Sequence, residues 1–307
     1  MKALQNRTNR AGWGFVLPGA VLILLFGFYP MVASFVTSLQ TGRGAQLTFS
    51  GFDNYARLFS DPVFLQAVGN TLLYLVFQVP IMIILALVFA TLLNRPAQPC
   101  KGFLRTAIFL PCVTSLVAYS VLFKSIFAND GLLNSVLQST GLIDSYIPWL
   151  QHPVWAKVTV ILAITWRWTG YNMIFYLAAL QNIDPSIYEA AKLDGAGSVS
   201  IFFRITVPLL KPIILFTTIM STNGTLQLFD ETVNLTGGGP ANSTLSISQY
   251  IYNLCFRYTP EFGYAATVAY SIVVMVLALS ALQFLLARDR DKPRARKAHA
   301  KEAMETA

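Results

Sequence analysis

The chain has 307 residues, of which 55% are hydrophobic and only 12% charged, with a net charge of +8 at neutral pH. A water-soluble domain carries about twice that share of charged residues, so this is the composition of a chain solvated by lipid. The basic excess lies at the chain ends and between apolar runs. That placement excludes a folded basic face for nucleic acid.

In chain order, charge-free runs occupy residues 11–42, 62–94, 106–123, 212–229 and 262–287, and a further run, 158–183, is interrupted only by Arg167. Each supplies roughly 20 apolar residues, enough to cross a bilayer. The reading is an all-α membrane protein of six transmembrane helices, over residues 13–39, 67–93, 104–126, 155–180, 212–231 and 263–287. Pro18 and Pro30 fall near the ends of the first helix, Pro80 inside the second and Pro111 inside the third. Residues 1–12 form a short leading segment, 13–287 the six-helix transmembrane domain and 288–307 a basic tail. The first run is too long for a signal-peptide core and is expected to be retained. Residues 129–153 mix turn formers with leucines and predict short interfacial helices.

An even number of spans puts both ends on one side. Lys2, Arg7 and Arg10 mark one end, and Arg288, Arg290, Lys292, Arg294, Arg296, Lys297 and Lys301 the other. The positive-inside rule makes that side cytoplasmic, joined by the connections carrying Arg95, Lys101 and Arg105 and then Lys192, Arg204 and Lys211. Cys100, Cys112 and Cys255 fall in an inner loop, a span and an outer loop, and His152 and His299 are isolated, so no pair reads as a disulfide or metal site.

The connection spanning residues 181–211 is the most informative stretch. Asp184 before Pro185 is an N-cap followed by proline at the first helical position, so a short helix begins there. Gly195 and Gly197 break it, and Ser198 caps a second short helix that ends near Pro208. This segment reads EAAKLDGAGSVSIFFRITVP from Glu189 to Pro208. Glu189, Ala190 and Ala191, Asp194 and Gly195, then Ile205 and Pro208, resemble the cytoplasmic coupling loop by which permease subunits of ATP-binding-cassette importers dock onto their ATPase. Val207 stands where that family usually has leucine, a conservative apolar change.

A second resemblance narrows the class. Residues 235–244, LTGGGPANST, with FGYA at 262–265, are similar to carbohydrate-importer permeases of the maltose-permease-like type. Gly237, Gly238 and Gly239 before Pro240 cannot make a lipid-facing helix, so this backbone must be buried in protein or line a cavity. The large extracytoplasmic insertion of some maltose permeases is missing. The resemblance implies a bacterial inner-membrane permease for a sugar or oligosaccharide. It implies as partners a second permease subunit, an ATPase dimer and an extracytoplasmic sugar-binding protein. This chain has no GxxxxGK[ST] loop to cradle a phosphate, so ATP and Mg are expected on the ATPase subunits, with no cofactor or metal on this chain and no catalysis by it.

Polar groups inside spans face a cavity or the bundle interior. On the fifth helix Asn223, Gln227 and Asp230, spaced i, i+4 and i+7, share one face, and Thr218, Ser221 and Thr225 the opposite, packing face. Trp168, Asn172 and Phe175 repeat that spacing on the fourth helix, with Tyr171 at its edge. Aromatic faces and amides suit a sugar, whose C–H patches stack on rings while its hydroxyls need donors and acceptors. Arg167 lies off that stripe, with Asp230 and Glu231 as candidate ion-pair partners. An ion-coupled secondary transporter would need several intramembrane carboxylates and inverted repeats, and an intramembrane enzyme a paired catalytic motif such as HExxH; neither is evident.

Overall fold

A computed structural model describes residues 2–44, 46–95 and 98–287, with side chains from residue 12 onward; the basic tail of residues 288–307 lies outside the described residues. Helix α1 (Lys2–Ile23) passes through a π turn, Leu24–Phe28, into α2 (Tyr29–Ser38), so helical backbone already starts ten residues before Gly12. A hairpin that the apolar pattern did not announce follows, β1 (Gln40–Arg43) paired antiparallel with β2 (Gln46–Phe49), Gln40 opposite Phe49. Then come α3 (Asp53–Leu58) and α4 (Pro62–Asn94), which runs 33 residues through Pro80.

The expected third helix is two helices. α5 (Lys101–Val113) and α6 (Leu116–Ile126) meet at 101°, with Thr114 and Ser115 extended between them. Pro111 removes a backbone donor one turn before the break, and β-region Thr114 ends the helix. α7 (Leu132–Ser139) is a short helix in the stretch where such helices are expected, its Asn134 Oδ1 accepting from Trp149 Nε1 at 3.0 Å. α8 (Pro153–Leu180) is capped by His152, whose Nδ1 accepts from the Val154 N–H. α9 (Pro185–Leu193), α10 (Ser198–Ile201), a π turn (Phe202–Thr206) and α11 (Val207–Leu209) form the short-helix connection. α12 (Lys211–Leu226) turns 71° from them. α13 (Asp230–Leu235), α14 (Ile247–Tyr252), a π turn (Asn253–Arg257) and α15 (Phe262–Ala287) complete the described chain.

Among the described residues, three helical stretches are long and apolar enough to span, Gly12–Ser38, α4 and α15, or five if each bent pair counts as one. α8 is 28 residues long but is not among them, its sequence being made less apolar by Lys157, Arg167, Asn172 and its threonines, tryptophans and tyrosines. Val160, Ile164, Met173, Tyr176 and Leu180 are buried along it, as are Thr159, Thr165, Arg167 and Asn172, so much of α8 is packed against protein. Its broadest packing is against α4, where Tyr74 meets Val160 and Ile164, and the small residues Ala86 and Ala90 pack among Met173, Tyr176, Leu177 and Leu180. The unbroken fifth helix expected over 212–231 ends instead at Leu226, and Asp230 and Glu231 open the next one. Acids belong in a first turn, where they meet the positive end of the helix dipole.

One polar node ties the start of α4 to α14 and α15. Asp61 Oδ1 caps α4 by accepting from Val63 and Phe64 N–H, while Oδ2 accepts from the hydroxyls of Tyr250 and Tyr264, both at 2.6 Å. Burial alone would raise the Asp61 pKa, but the two tyrosine hydroxyls and the two backbone N–H groups outweigh it and hold the carboxyl below its ordinary value. Its stabilisation is therefore complete above the ordinary carboxylate range and is lost as pH falls through the lowered folded-state value. Asp61→Ala should cost about 2–4 kcal/mol, a cap plus charge-assisted hydrogen bonds. Thermal unfolding of the detergent-solubilised protein at neutral pH checks this. The gap between variant and parent should close in acid, and a variant as stable as the parent at neutral pH would remove the node from the fold's energetics.

Candidate functional site

A cavity of about 500 Å³ opens between α4, α8, α12 and α13, with the start of α6 at its edge. That volume falls in the range of small-ligand sites. α8 supplies Trp168, Tyr171, Asn172 and Phe175 to its wall, and Phe216 joins them from α12. The rings form a chain: Trp168 to Tyr171 at 5.9 Å, Tyr171 to Phe175 at 5.1 Å, and Phe175 to Phe216 at 6.0 Å, each tilted or edge-on. Amides and hydroxyls interrupt this apolar wall. Asn172 Nδ2 donates to the Trp168 carbonyl at 3.1 Å, and Thr225 Oγ1 donates to Gln78 Oε1 at 3.1 Å.

Of the seven path residues expected from sequence, Trp168, Tyr171, Asn172, Phe175, Gln227 and Asp230 line this cavity. Asn223 is not in its wall; its Oδ1 accepts from Gln227 Nε2 at 2.5 Å. Ser221 and Thr225, expected on a packing face, do line the cavity, with Gly224 between them. Because α12 stops at Leu226, the stripe through Asn223, Gln227 and Asp230 is not carried on one continuous helix. Gln78 was missed. Its amide, in mid-run between Asn70 and Asn94 within the charge-free stretch of α4, was its only signal.

Arg167 and Glu231 share the cavity wall, and both are buried, at 6% and 5% exposure. The ion pair expected for Arg167 forms with Glu231 and not with Asp230, which is exposed, and it is loose. Arg167 Nε stands 3.9 Å from Glu231 Oε1, Nη2 donates to the Thr114 carbonyl at 3.4 Å, and Nε and Nη1 have no hydrogen-bond partner. Glu231 Oε1 also accepts from Trp168 Nε1 at 3.4 Å.

The glycine loop packs on α4. Gly237 and Gly238 have φ of +64° and +87°, Ala241 and Asn242 are also left-handed, and the Gly239–Pro240 peptide is cis. Backbone carbonyls left free by this path are taken up by α4: Gln66 donates to Ala241, Asn70 to Asn242 and Leu245, and Tyr74 to Thr244. The loop backbone is thus held in protein, as its composition requires in a membrane.

In the short-helix connection, Asp184 caps α9 through the Ser186 N–H at 2.9 Å. Gly197, not Ser198, stands at the cap position of α10. α9 ends on a Schellman turn: Ala196 N–H donates to the Ala191 carbonyl, Gly195 N–H to Lys192, and Gly195 takes φ of +79°. Glu189, Ala190, Asp194, Gly195 and Pro208 are exposed, Ile205 is half-buried and Ala191 is buried. Leu193 is 89% exposed, Val199 72% and Phe203 65%, so the turn carries an apolar surface that sequence reasoning had not singled out. Glu189 and Lys192 also line a second cavity of about 760 Å³ behind the turn, with Arg95 and Tyr188.

Residues 55–292 match the family of binding-protein-dependent transport system inner membrane components. The chain is 62% identical to the lactose transport system permease protein LacF of Rhizobium radiobacter, over 94% of this chain and 97% of that protein. A crystal structure of a bacterial ABC transporter that imports the acidic polysaccharide alginate has a TM-score of 0.80 at 24% identity, covering 95% of this chain and 100% of that one. The same kind of alginate transporter, in complex with an alginate pentasaccharide-bound periplasmic protein, has a TM-score of 0.78 at 25% identity, covering 92% and 95%.

Proposed function

The chain belongs to the family of binding-protein-dependent transport system inner membrane components; it is the multi-pass permease subunit of an ATP-binding-cassette sugar importer, and we propose that its substrate is a neutral disaccharide of the lactose type. The observation that carries the path is the cavity itself, where an aromatic chain from Trp168 to Phe216 is interleaved with Gln78, Asn172, Thr225 and Gln227. Rings stack on the C–H faces of a sugar, and the amides and hydroxyls meet its hydroxyl groups. The lactose assignment follows the 62% identity to a lactose permease.

In this reading α8 is the sixth, interior span, and the two bent pairs are broken spans around the path, with both termini cytoplasmic. Non-helical backbone at membrane depth is tolerated where it lines such a cavity. The turn between α9 and α10 docks on the ATPase. Exposed Leu193, Val199 and Phe203 supply apolar contact, and small Ala190 and Gly195 permit close approach. The glycine loop around Pro240 lies on the opposite side, toward the binding protein. A second permease subunit closes the path, and ATP and Mg stay on the ATPase pair.

An ion-coupled secondary transporter is not favoured, since family and relatives are binding-protein-dependent permeases. Reconstitution tests the reading. The purified chain in liposomes should neither hydrolyse ATP nor take up lactose, and both activities should appear once the second permease, the ATPase and the binding protein are added. Lactose uptake by the isolated chain under a proton gradient would refute it.

A further inference from the structure

We propose that Arg167 and Glu231 form a diol-recognition subsite in the cavity wall, Arg167 donating to one hydroxyl of the passing sugar and Glu231 accepting from its neighbour. This rests on the reading of the cavity as the sugar path. Both side chains are more than nine-tenths buried, and burying a charge is costly unless its hydrogen bonds are met. They are only partly met here: Arg167 Nη2 reaches the Thr114 carbonyl and Glu231 takes the Trp168 N–H, both at 3.4 Å, and the guanidinium lies 5.1 Å from the Tyr119 ring centre. The closest approach of the pair is 3.9 Å, well beyond the roughly 2.8 Å of a closed charge-assisted hydrogen bond, and Arg167 Nε and Nη1 have no partner. A pair kept only for stability would close that gap.

A carbohydrate supplies what the pair lacks. Each hydroxyl both donates and accepts, so two adjacent ones can take N–H bonds from the guanidinium while giving an O–H to the carboxylate. Trp168 lies alongside, its Nε1–H on Glu231 and its ring 5.7 Å from Arg167 Cζ, and can hold the apolar face of the same sugar ring. The position also joins two helix interruptions. Arg167 reaches Thr114 in the break between α5 and α6, and Glu231 lies in the first turn of α13 just past the end of α12. The pair is neutral as a whole, which suits an uncharged polyol. The carboxylate of an acidic sugar would meet Glu231 and be disfavoured.

The test uses the complete complex with a thiol introduced at Ser221, in a background where Cys100, Cys112 and Cys255 are serine, and follows labelling by a water-soluble thiol reagent. Lactose should slow labelling of the parent. Glu231→Gln and Arg167→Gln should each need about tenfold more lactose for the same protection, the worth of one charge-assisted hydrogen bond. Glu231→Gln should also raise protection by lactobionate, an acidic lactose derivative, relative to lactose. On the parent, at least one deoxylactose should protect about tenfold less well, and that deficit should vanish in the variants. If the variants do not assemble, the parent's ranking of deoxylactoses and lactobionate decides alone: equal protection by all of them sinks the subsite. Unchanged lactose protection in assembled variants also overturns the subsite and leaves the sugar path standing. Lactose that fails to protect the parent overturns the lactose path, and the subsite with it.

Discussion

Gly170→Val is expected to abolish accumulation of the folded permease. Gly170 sits mid-way along α8 where α5 crosses it, and a Cβ there would lie 2.0 Å from the Ile108 carbonyl oxygen and 2.8 Å from Phe109 Cα. Those are backbone atoms, so no side chain can swing aside, and α5 as a whole would have to retreat from α8. Overpacking of a core costs about 1–3 kcal/mol when side chains can adjust; here the cost should lie at or above the top of that range. Retreat would also carry Thr114, at the end of α5, away from Arg167 and disturb the cavity wall. Gly170→Ala should already lower yield and melting temperature in detergent. Gly69 is the control, a helical glycine with nothing within 4 Å of its built Cβ, where alanine should be neutral or stabilise by up to about 1 kcal/mol. Gly170→Ala behaving like Gly69→Ala would mean that α5 and α8 do not pack as described.

The apolar layout was legible because charge is expensive in lipid. Arg95, Lys101 and Arg105 bracket the gap between α4 and α5, and Asp184 followed by Pro185 marks the start of α9 at the right residue. What was not legible were the interruptions. A break such as that at Thr114 leaves the hydropathy of residues 104–126 unchanged, and only Pro111 hints at it. Asp230 and Glu231 looked like the polar end of a span, yet they are the acidic first turn of a new helix. Within α12, Ser221 and Thr225, expected on a packing face, line the cavity, and Asn223 does not. Polarity in a membrane helix marks a protein-facing side without saying whether protein or cavity lies opposite. The hairpin β1–β2 was invisible for another reason: four-residue strands of mixed polarity such as QTGR carry no periodic signal.

Gly195→Trp is expected to uncouple ATP hydrolysis from sugar uptake, or to prevent assembly with the ATPase, while leaving the membrane-embedded fold intact. Two separable effects meet at this position. The first is conformational: φ of +79° disfavours any residue with a Cβ, at roughly 1–2 kcal/mol, and asparagine suffers least. The second is spatial. Nothing lies within 4 Å of a Cβ built on Gly195, so the space beside it is open in this chain, and a bulky indole there is expected to obstruct a docking partner. Gly195→Asn isolates the first effect and should keep most coupled transport. Gly195→Trp adds the second and should lose it, with uptake by the reconstituted complex down by about tenfold or more, since one misplaced interface contact of 1.4 kcal/mol already costs that factor. Purification of the four-component complex and the ratio of lactose taken up to ATP hydrolysed read the two outcomes separately. The nearby Leu193→Asp change should act in the same direction, because an 89% exposed leucine contributes little to the fold of its own chain and a charge there would be buried on docking. If Gly195→Trp and Gly195→Asn both assemble and transport like the parent, the turn between α9 and α10 is not the ATPase contact.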